Sequence, residues 1–206
     1  PELVIIGAGT VGQFAASAAL ALGVSVKVFD NSLFKLRRLQ NEIGQKVFTS
    51  VIQPKVLEKA LMRCDVAIGA LSAPQGRTPC IVSENVVKKM KSGSVIVDVS
   101  IDKGGCFETS KITTHQKPTF TKHDIIHYCV PNIGSRVSRT ASFSLSNIFS
   151  PLLIEISESG GCEKLIQFSK GFRHGVYIYN GTLTSSILGK AFNIPYKNLD
   201  LLISAL

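Results

Sequence analysis

The sequence predicts an α/β fold, a doubly wound parallel sheet, on three observations. Short runs rich in apolar and β-branched residues, too brief for helices, recur at residues 3–6, 26–29, 65–70, 95–99 and 126–130. Segments with apolar residues at helical spacing separate most of them, and strands that alternate with helices pair in parallel because each helix carries the chain back across a sheet face. The first run also breaks into glycines spaced Gly7-x-Gly9-x-x-Gly12, a tight turn that passes from a strand straight into a helix.

Taken in order, the opening unit is strand, turn, helix, strand and acid. Residues 3–6 are the strand, an alanine-rich stretch without a breaker before Gly23 is the helix, and residues 26–29 run into Asp30. Ser32 is placed to cap a second helix carrying Leu33, Leu36 and Leu39, which ends near Gly44. Residues 47–49 form a short strand, and Pro54 suits the first turn of a helix bearing Val56, Leu57, Ala60 and Leu61. Residues 65–70 are the next buried strand. Ser83 and Glu84 open a helix with Val86 and Val87 that stops before Gly93, and strands at 95–99 and 126–130 follow.

From about Arg139 the alternation ends. Phe143, Leu145, Ile148, Leu152, Leu153 and Ile156 predict a helix kinked or restarted at Pro151. Residues 176–179 and 182–184 flank Asn180-Gly181, a two-residue hairpin signal, and a last helix spans about 186–192. The expected division is therefore a domain over residues 1–138 and a C-terminal segment, 139–206, belonging to a second lobe. Pro1 stands almost on the first strand, so the chain is expected to be a piece of a longer polypeptide whose preceding part completes that lobe.

Composition excludes several classes. Of 206 residues, 45% are hydrophobic and 18% charged, the balance of a globular domain with a true core rather than a disordered chain. No apolar run is long enough to cross a bilayer, and no secretory signal pattern opens the chain. Five dispersed cysteines, without metal-type or redox-type spacing, point to a reducing cytoplasmic setting and to small buried side chains. The net charge of +9 raises a nucleic-acid reading, but the denser basic groups, Lys35/Arg37/Arg38 and Lys88/Lys89/Lys91, lie on helix surfaces without interleaved aromatics. A solvated face, or an excess balanced by an acidic segment outside this chain, accounts for the charge better.

The glycine turn carries the first chemistry, that of a Rossmann-type dinucleotide site. Gly7 allows the sharp turn, Gly9 lets bare backbone approach a pyrophosphate, and Gly12 lets the helix pack close to the strand. Thr10, Val11 and Gly12 open that helix, whose free N–H groups and dipole favour phosphate. Asp30, 18 residues beyond Gly12, can accept both hydroxyls of an adenosine ribose and would repel a 2′-phosphate, so the expected cofactor is NAD. The second informative stretch is residues 97–105, a buried strand followed by Asp102 and Gly104-Gly105. Asp98 is read as an acceptor of backbone donors. Asp102 is read either as a turn aspartate or as a carboxylate that orients an amine beside the nicotinamide. His123 and His127 have the i, i+4 spacing of a metal pair on a helix, but their segment reads as strand entry, and no metal is expected.

Residues 5–12, 65–70, 91–108, 113–115, 117–120, 127–132 and 139–143 together resemble the alanine dehydrogenase family, which includes the NAD-binding subunit of proton-translocating transhydrogenase. The resemblance covers most of the chain and fades after about Ile156. It implies NAD-dependent, reversible oxidative deamination of L-alanine to pyruvate and ammonia, in a homo-oligomer that is often hexameric, with a small amino-acid substrate and neither nucleic acid nor membrane as partner. It implies Thr10 at the pyrophosphate, Asp30 at the adenosine ribose with Lys35 nearby, and Leu71 and Ser72 along the cofactor. Val99, Ser100, Ile101 and Asp102 would flank the nicotinamide ribose and ring, and Val130, Asn132 and Ile133 would hold the carboxamide. Asp102 matches the family's active-site aspartate. The family's further histidine, lysine and arginine belong to a preceding segment, and none of His115, His123, His127 or His174 replaces that histidine. On this reading the chain alone binds NADH but barely turns over alanine. The chain departs from the family at Lys103, where glutamine is usual, at Pro131, Ile133 and Gly134, and across residues 72–76. Three other readings stay open: the transhydrogenase subunit, a dehydrogenase for another amino acid of the saccharopine-forming kind, and a non-catalytic NAD-binding module.

Overall fold

A computed structural model describes residues 1–73 and 76–204. They divide into two compact units, Pro1–Ile133 and Gly134–Leu206. The first unit ends at Ile133, where a 3-10 turn over Ile133–Val137 leads into the helix that opens at Ser138.

The first unit alternates as its sequence predicts: β1 (Glu2–Ile6), α1 (Thr10–Ala21), β2 (Ser25–Phe29), α2 (Leu33–Ile43), β3 (Phe48–Ser50), α3 (Pro54–Leu61), β4 (Val66–Gly69), α4 (Glu84–Val87) and β5 (Val95–Asp98). A hairpin of β6 (Thr119–Lys122) and β7 (Ile125–Tyr128) follows. The strands form one sheet in the order β3-β2-β1-β4-β5-β7-β6, parallel throughout except for the antiparallel edge strand β6. Ser32 Oγ accepts the Lys35 N–H at the start of α2, and Gly44 closes that helix at φ 71°. Helix α4 is a single turn, shorter than the sequence suggested, since the chain leaves helical geometry after Lys88.

The apolar run of β1 is continuous because helices cover both faces of the sheet. Leu3 and Ile5 pack with Val26, Val28, Leu36 and Leu39 on one face. Val4 and Ile6 pack with Phe29, Leu57, Leu61, Ile96 and Phe107 on the other. Cys64, Cys106 and Cys129 are buried as small apolar side chains, and burial pushes the Cys64 thiol up to about 12. The basic group on and after α4 meets carboxylates: Lys89 pairs with Glu58 at 2.6 Å and Lys91 with Asp65 at 2.8 Å.

Strand β6 is absent from the sequence reading. Its turn, His123-Asp124, adopts φ 54° and 58°, the double left-handed geometry usually supplied by Asn-Gly. Its core-facing partner is His127, fully buried and stacked on Phe120 at a centroid distance of 4.7 Å. The imidazole nitrogens of His127 lie 2.8 Å from Thr109 Oγ1 and 3.0 Å from Ile125 O, while His123 Nε2 lies 2.6 Å from Glu84.

The second unit contains α5 (Ser138–Glu158), α6 (Cys162–Phe168), α7 (Lys170–Arg173), the hairpin β8 (Ile178–Tyr179) and β9 (Thr182–Leu183), α8 (Ser186–Phe192) and α9 (Leu199–Ser204). Helix α5 runs through Pro151 without restarting. Asn180 and Gly181 take φ 46° and 74°, as a two-residue hairpin turn requires. Ile166, Tyr179 and Leu199 form this unit's small core, and no helix among the described residues is long and apolar enough to cross a membrane.

Candidate functional site

Strand order places the site. Leaving β1, the chain builds outward through β2 and β3 on one side and through β4, β5 and β7 on the other. The crevice at such a reversal lies beyond the carboxyl ends of the strands. The residues singled out from the sequence as cofactor-binding lie within the first unit, most of them in the loops at those ends, with Thr10, Val11 and Gly12 opening α1 and Lys35 in the first turn of α2.

The glycine turn is shaped by close packing on two sides and is open on a third. Gly7 has φ 118°, and a Cβ there would stand 2.4 Å from Ala70 O. A Cβ on Gly12 would stand 1.9 Å from Gly7 O, so α1 rests directly on the turn. At Gly9 a Cβ would meet nothing within 4 Å. Gly9 is also the N-cap of α1 and supplies no capping side chain, in contrast to Ser32 at α2 and Ser185 at α8. The first N–H groups of α1, with Thr10 and Val11 exposed beside them, are left to an anion from solvent. The residues present therefore fit a dinucleotide pyrophosphate.

Asp30 sits at the end of β2 and is only 6% exposed. Its Oδ2 accepts the Ala8 N–H at 2.8 Å, and its Oδ1 accepts the Ser32 N–H at 2.8 Å. Lys35 lies one helical turn beyond Ser32 on α2 and is half-buried.

Across the reversal, the loop after β5 is held by Asp98, which is 1% exposed. Its carboxylate accepts the N–H groups of Ser100 at 3.0 Å and Cys106 at 3.0 Å, and the Ser110 hydroxyl at 2.6 Å. Burial pushes this carboxyl up, against the opposing pull of those donors. Asp98 thus satisfies backbone donors, as its place in the sequence indicated. The 3-10 turn over Val99–Lys103 that it caps carries Asp102 into solvent. Asp102 Oδ1 accepts the Asn132 N–H at 2.8 Å, joining the loop after β5 to the loop after β7, where Asn132 is left-handed at φ 51°. Lys103 Nζ lies 3.4 Å from Ser72 Oγ and 3.3 Å from Ala73 O, joining the same loop to the one after β4. Of the unusual stretch 72–76, Pro74 and Gln75 lie outside the described residues.

Ser100, Ile101 and Val130 are buried, and the Ser100 hydroxyl has no hydrogen-bond partner among the described residues. Leu71, Val99 and Ile133 are half-buried, and Ser72, Asp102 and Asn132 are exposed. Sequence reading missed Ser110 as the hydroxyl partner of Asp98, and Ala8 as the partner of Asp30. Both bonds join residues distant in the chain and leave no local pattern.

The family profile described as alanine dehydrogenase/PNT, C-terminal domain, matches residues 1–186. The chain belongs to this family. It is 38% identical over 197 residues to an alanine dehydrogenase of Mycolicibacterium smegmatis, covering 96% of this chain and 53% of that protein. An alanine dehydrogenase of Halomonas elongata is 36% identical over 202 residues, 98% of this chain and 54% of that protein. The chain thus spans about half the length of the relatives it matches. Among solved structures, an L-alanine dehydrogenase superposes with a TM-score of 0.85 at 33% identity, over 93% of this chain and 53% of that one. A transhydrogenase from Sinorhizobium meliloti superposes with a TM-score of 0.68 at 19% identity, over 90% of this chain and 49% of that one, a likeness of fold. The seven-stranded Rossmann-type sheet of the alanine dehydrogenase/PNT domain is accordingly the frame on which the residues above are set.

Proposed function

We propose that this domain is the NAD-binding part of an oxidoreductase that oxidatively deaminates L-alanine to pyruvate and ammonia. The observation that carries the reading is the glycine turn, open at Gly9 and backed by an uncapped helix, with Asp30 on one side of the strand reversal and Asp102 on the other. The relatives named alanine dehydrogenase over nearly the whole chain support the same substrate.

The dinucleotide, when bound, supplies a hydride acceptor at its nicotinamide. Main-chain N–H groups around Gly9, Thr10, Val11 and Gly12 bind the pyrophosphate, and their dipoles are already oriented before it arrives. Asp30 accepts ribose hydroxyls, with Lys35 adding positive charge nearby, and disfavours a 2′-phosphate, which selects NAD over NADP. With β4, β5 and β7 across β1 from Asp30, Leu71, Ser72, residues 99–102, Val130, Asn132 and Ile133 would hold the nicotinamide half. Asp102 is the catalytic residue: with Oδ1 fixed on Asn132, its other oxygen can hold the substrate's ammonium and stabilise positive charge developing at the amine carbon. Residues 139–206 belong on this reading to the substrate lobe, and the working form is a cytoplasmic homo-oligomer. Asp102 favours this reaction over exchange of hydride between two dinucleotides, where no amine needs a counter-charge.

Titrating the chain with NADH and with NADPH tests the reading. NADH binding at least tenfold tighter is expected, and equal affinity refutes the role given to Asp30. In the complete enzyme, Asp102→Asn should abolish alanine-dependent NADH formation while leaving NADH affinity within about threefold, because the carboxylate is given to the substrate's amine rather than to the dinucleotide. Undiminished turnover in that variant removes Asp102 from the mechanism.

A further inference from the structure

We propose that Asp30 is also a positioning residue for the phosphate-binding turn. The inference rests on the dinucleotide reading above and adds a second role to the same carboxylate. The bond from Ala8 N–H to Asp30 Oδ2 spans 22 residues and joins the middle of the glycine turn to the end of β2. The adjacent Gly7 N–H donates to Phe29 O at 2.7 Å. Two consecutive N–H groups of the turn are therefore stitched to Phe29, the last residue of β2, and to Asp30 just beyond it, the first by main chain and the second through the Asp30 side chain. Ser32 N–H holds the other carboxylate oxygen at 2.8 Å, so the carboxylate is itself fixed from both ends.

The stitch explains why Asp30 is 6% exposed although its proposed partner is a ligand. A carboxylate offers about four acceptor positions; two serve the protein's own N–H groups, and two remain for the two ribose hydroxyls. Charge-assisted bonds of this kind are roughly twice as strong as neutral ones, and a buried N–H deprived of its acceptor is costly. With no side chain at Gly7 or Gly9 to wedge the turn, its orientation at this edge depends on Ala8. Replacing Asp30 thus disturbs the pyrophosphate grip as well as the ribose, and cofactor choice cannot be switched from NADH to NADPH at position 30 alone.

The test separates the two roles with a ligand that cannot use one of them. NADH and an analogue lacking the adenosine 2′- and 3′-hydroxyls are titrated into wild type, Asp30→Asn and Asp30→Ser. A purely ribose-binding Asp30 predicts that the analogue binds all three proteins alike. The positioning role predicts that the analogue also weakens in both variants, by about tenfold to a hundredfold, the worth of one charge-assisted bond. Analogue affinity within twofold of wild type in both variants overturns the proposal. A wild-type protein that binds NADH but whose unliganded Ala8 amide exchanges as fast as an open loop overturns it independently of how the variants fold. A wild type that binds neither ligand overturns the dinucleotide reading itself, and the phosphate role of the turn with it.

Discussion

The glycine turn allows binding to be separated from folding by single methyl groups. Gly9 has φ −76°, and a Cβ there would have no neighbour within 4 Å, so Gly9→Ala introduces neither strain nor a clash. Alanine lowers the unfolded chain's entropy by about 0.4–1 kcal/mol and is a poorer N-cap by a comparable amount, so stability should stay within about 1 kcal/mol of wild type. On the proposed dinucleotide reading, however, the methyl stands where main-chain N–H groups reach a phosphate. Loss of one or two charge-assisted bonds, at about 1.5–3 kcal/mol each, raises the Kd for NADH by about tenfold to well over a hundredfold. Gly12→Ala is the converse. Its Cβ would lie 1.9 Å from the carbonyl oxygen of Gly7 and 3.3 Å from Ile5 Cγ2, so α1 must lift off β1 by more than an ångström. Overpacking against rigid backbone costs about 1–3 kcal/mol or more, offset by about 1 kcal/mol of helix propensity. Thermal melts followed by circular dichroism, paired with NADH titration by fluorescence, distinguish the two. Gly9→Ala should melt within about 3 °C of wild type and bind poorly, whereas Gly12→Ala should melt several degrees lower. A Gly9→Ala protein that binds NADH within twofold of wild type would show that no phosphate approaches this backbone.

Two further substitutions address the scaffold. Asp98→Asn keeps one acceptor but turns an amide toward Cys106 N–H and the Ser110 hydroxyl, leaving buried donors unpaired at a cost of about 2–4 kcal/mol, or roughly 4–16 °C in Tm; a Tm within about 2 °C of wild type refutes its part in holding residues 98–110. His127 has its pKa lowered, chiefly by burial. A histidine whose folded pKa lies below its unfolded value of 6.5 contributes stability that is present above 6.5 and lost as pH falls through the folded pKa. Denaturant melts at pH 7 and pH 5 should show a smaller difference in His127→Gln than in wild type, and an unchanged difference would exclude this group as the titrating one.

The sheet was legible in the sequence because its signals are local. The run Leu3 to Ile6 is apolar at every position since each face of β1 meets helices, and Gly7, Gly44 and Asn180-Gly181 mark backbone that most side chains avoid. The β6–β7 hairpin was hidden because His123-Asp124 carries no such mark, although it adopts the same left-handed turn, and α6, α7 and α9 were missed because helices of one or two turns are too short to show a period. Composition and spacing by themselves determined the alternation of strands and helices from β1 to β5, the glycine turn and the acids that follow β2 and β5. Tertiary structure alone decided what those acids touch: Asp30 grips Ala8, Asp98 gathers residues 100–110, and Asp102 fixes Asn132. Those partners are separated by up to 30 residues. A hydrogen bond depends on distance in space, and distance in space follows from strand order rather than from chain spacing.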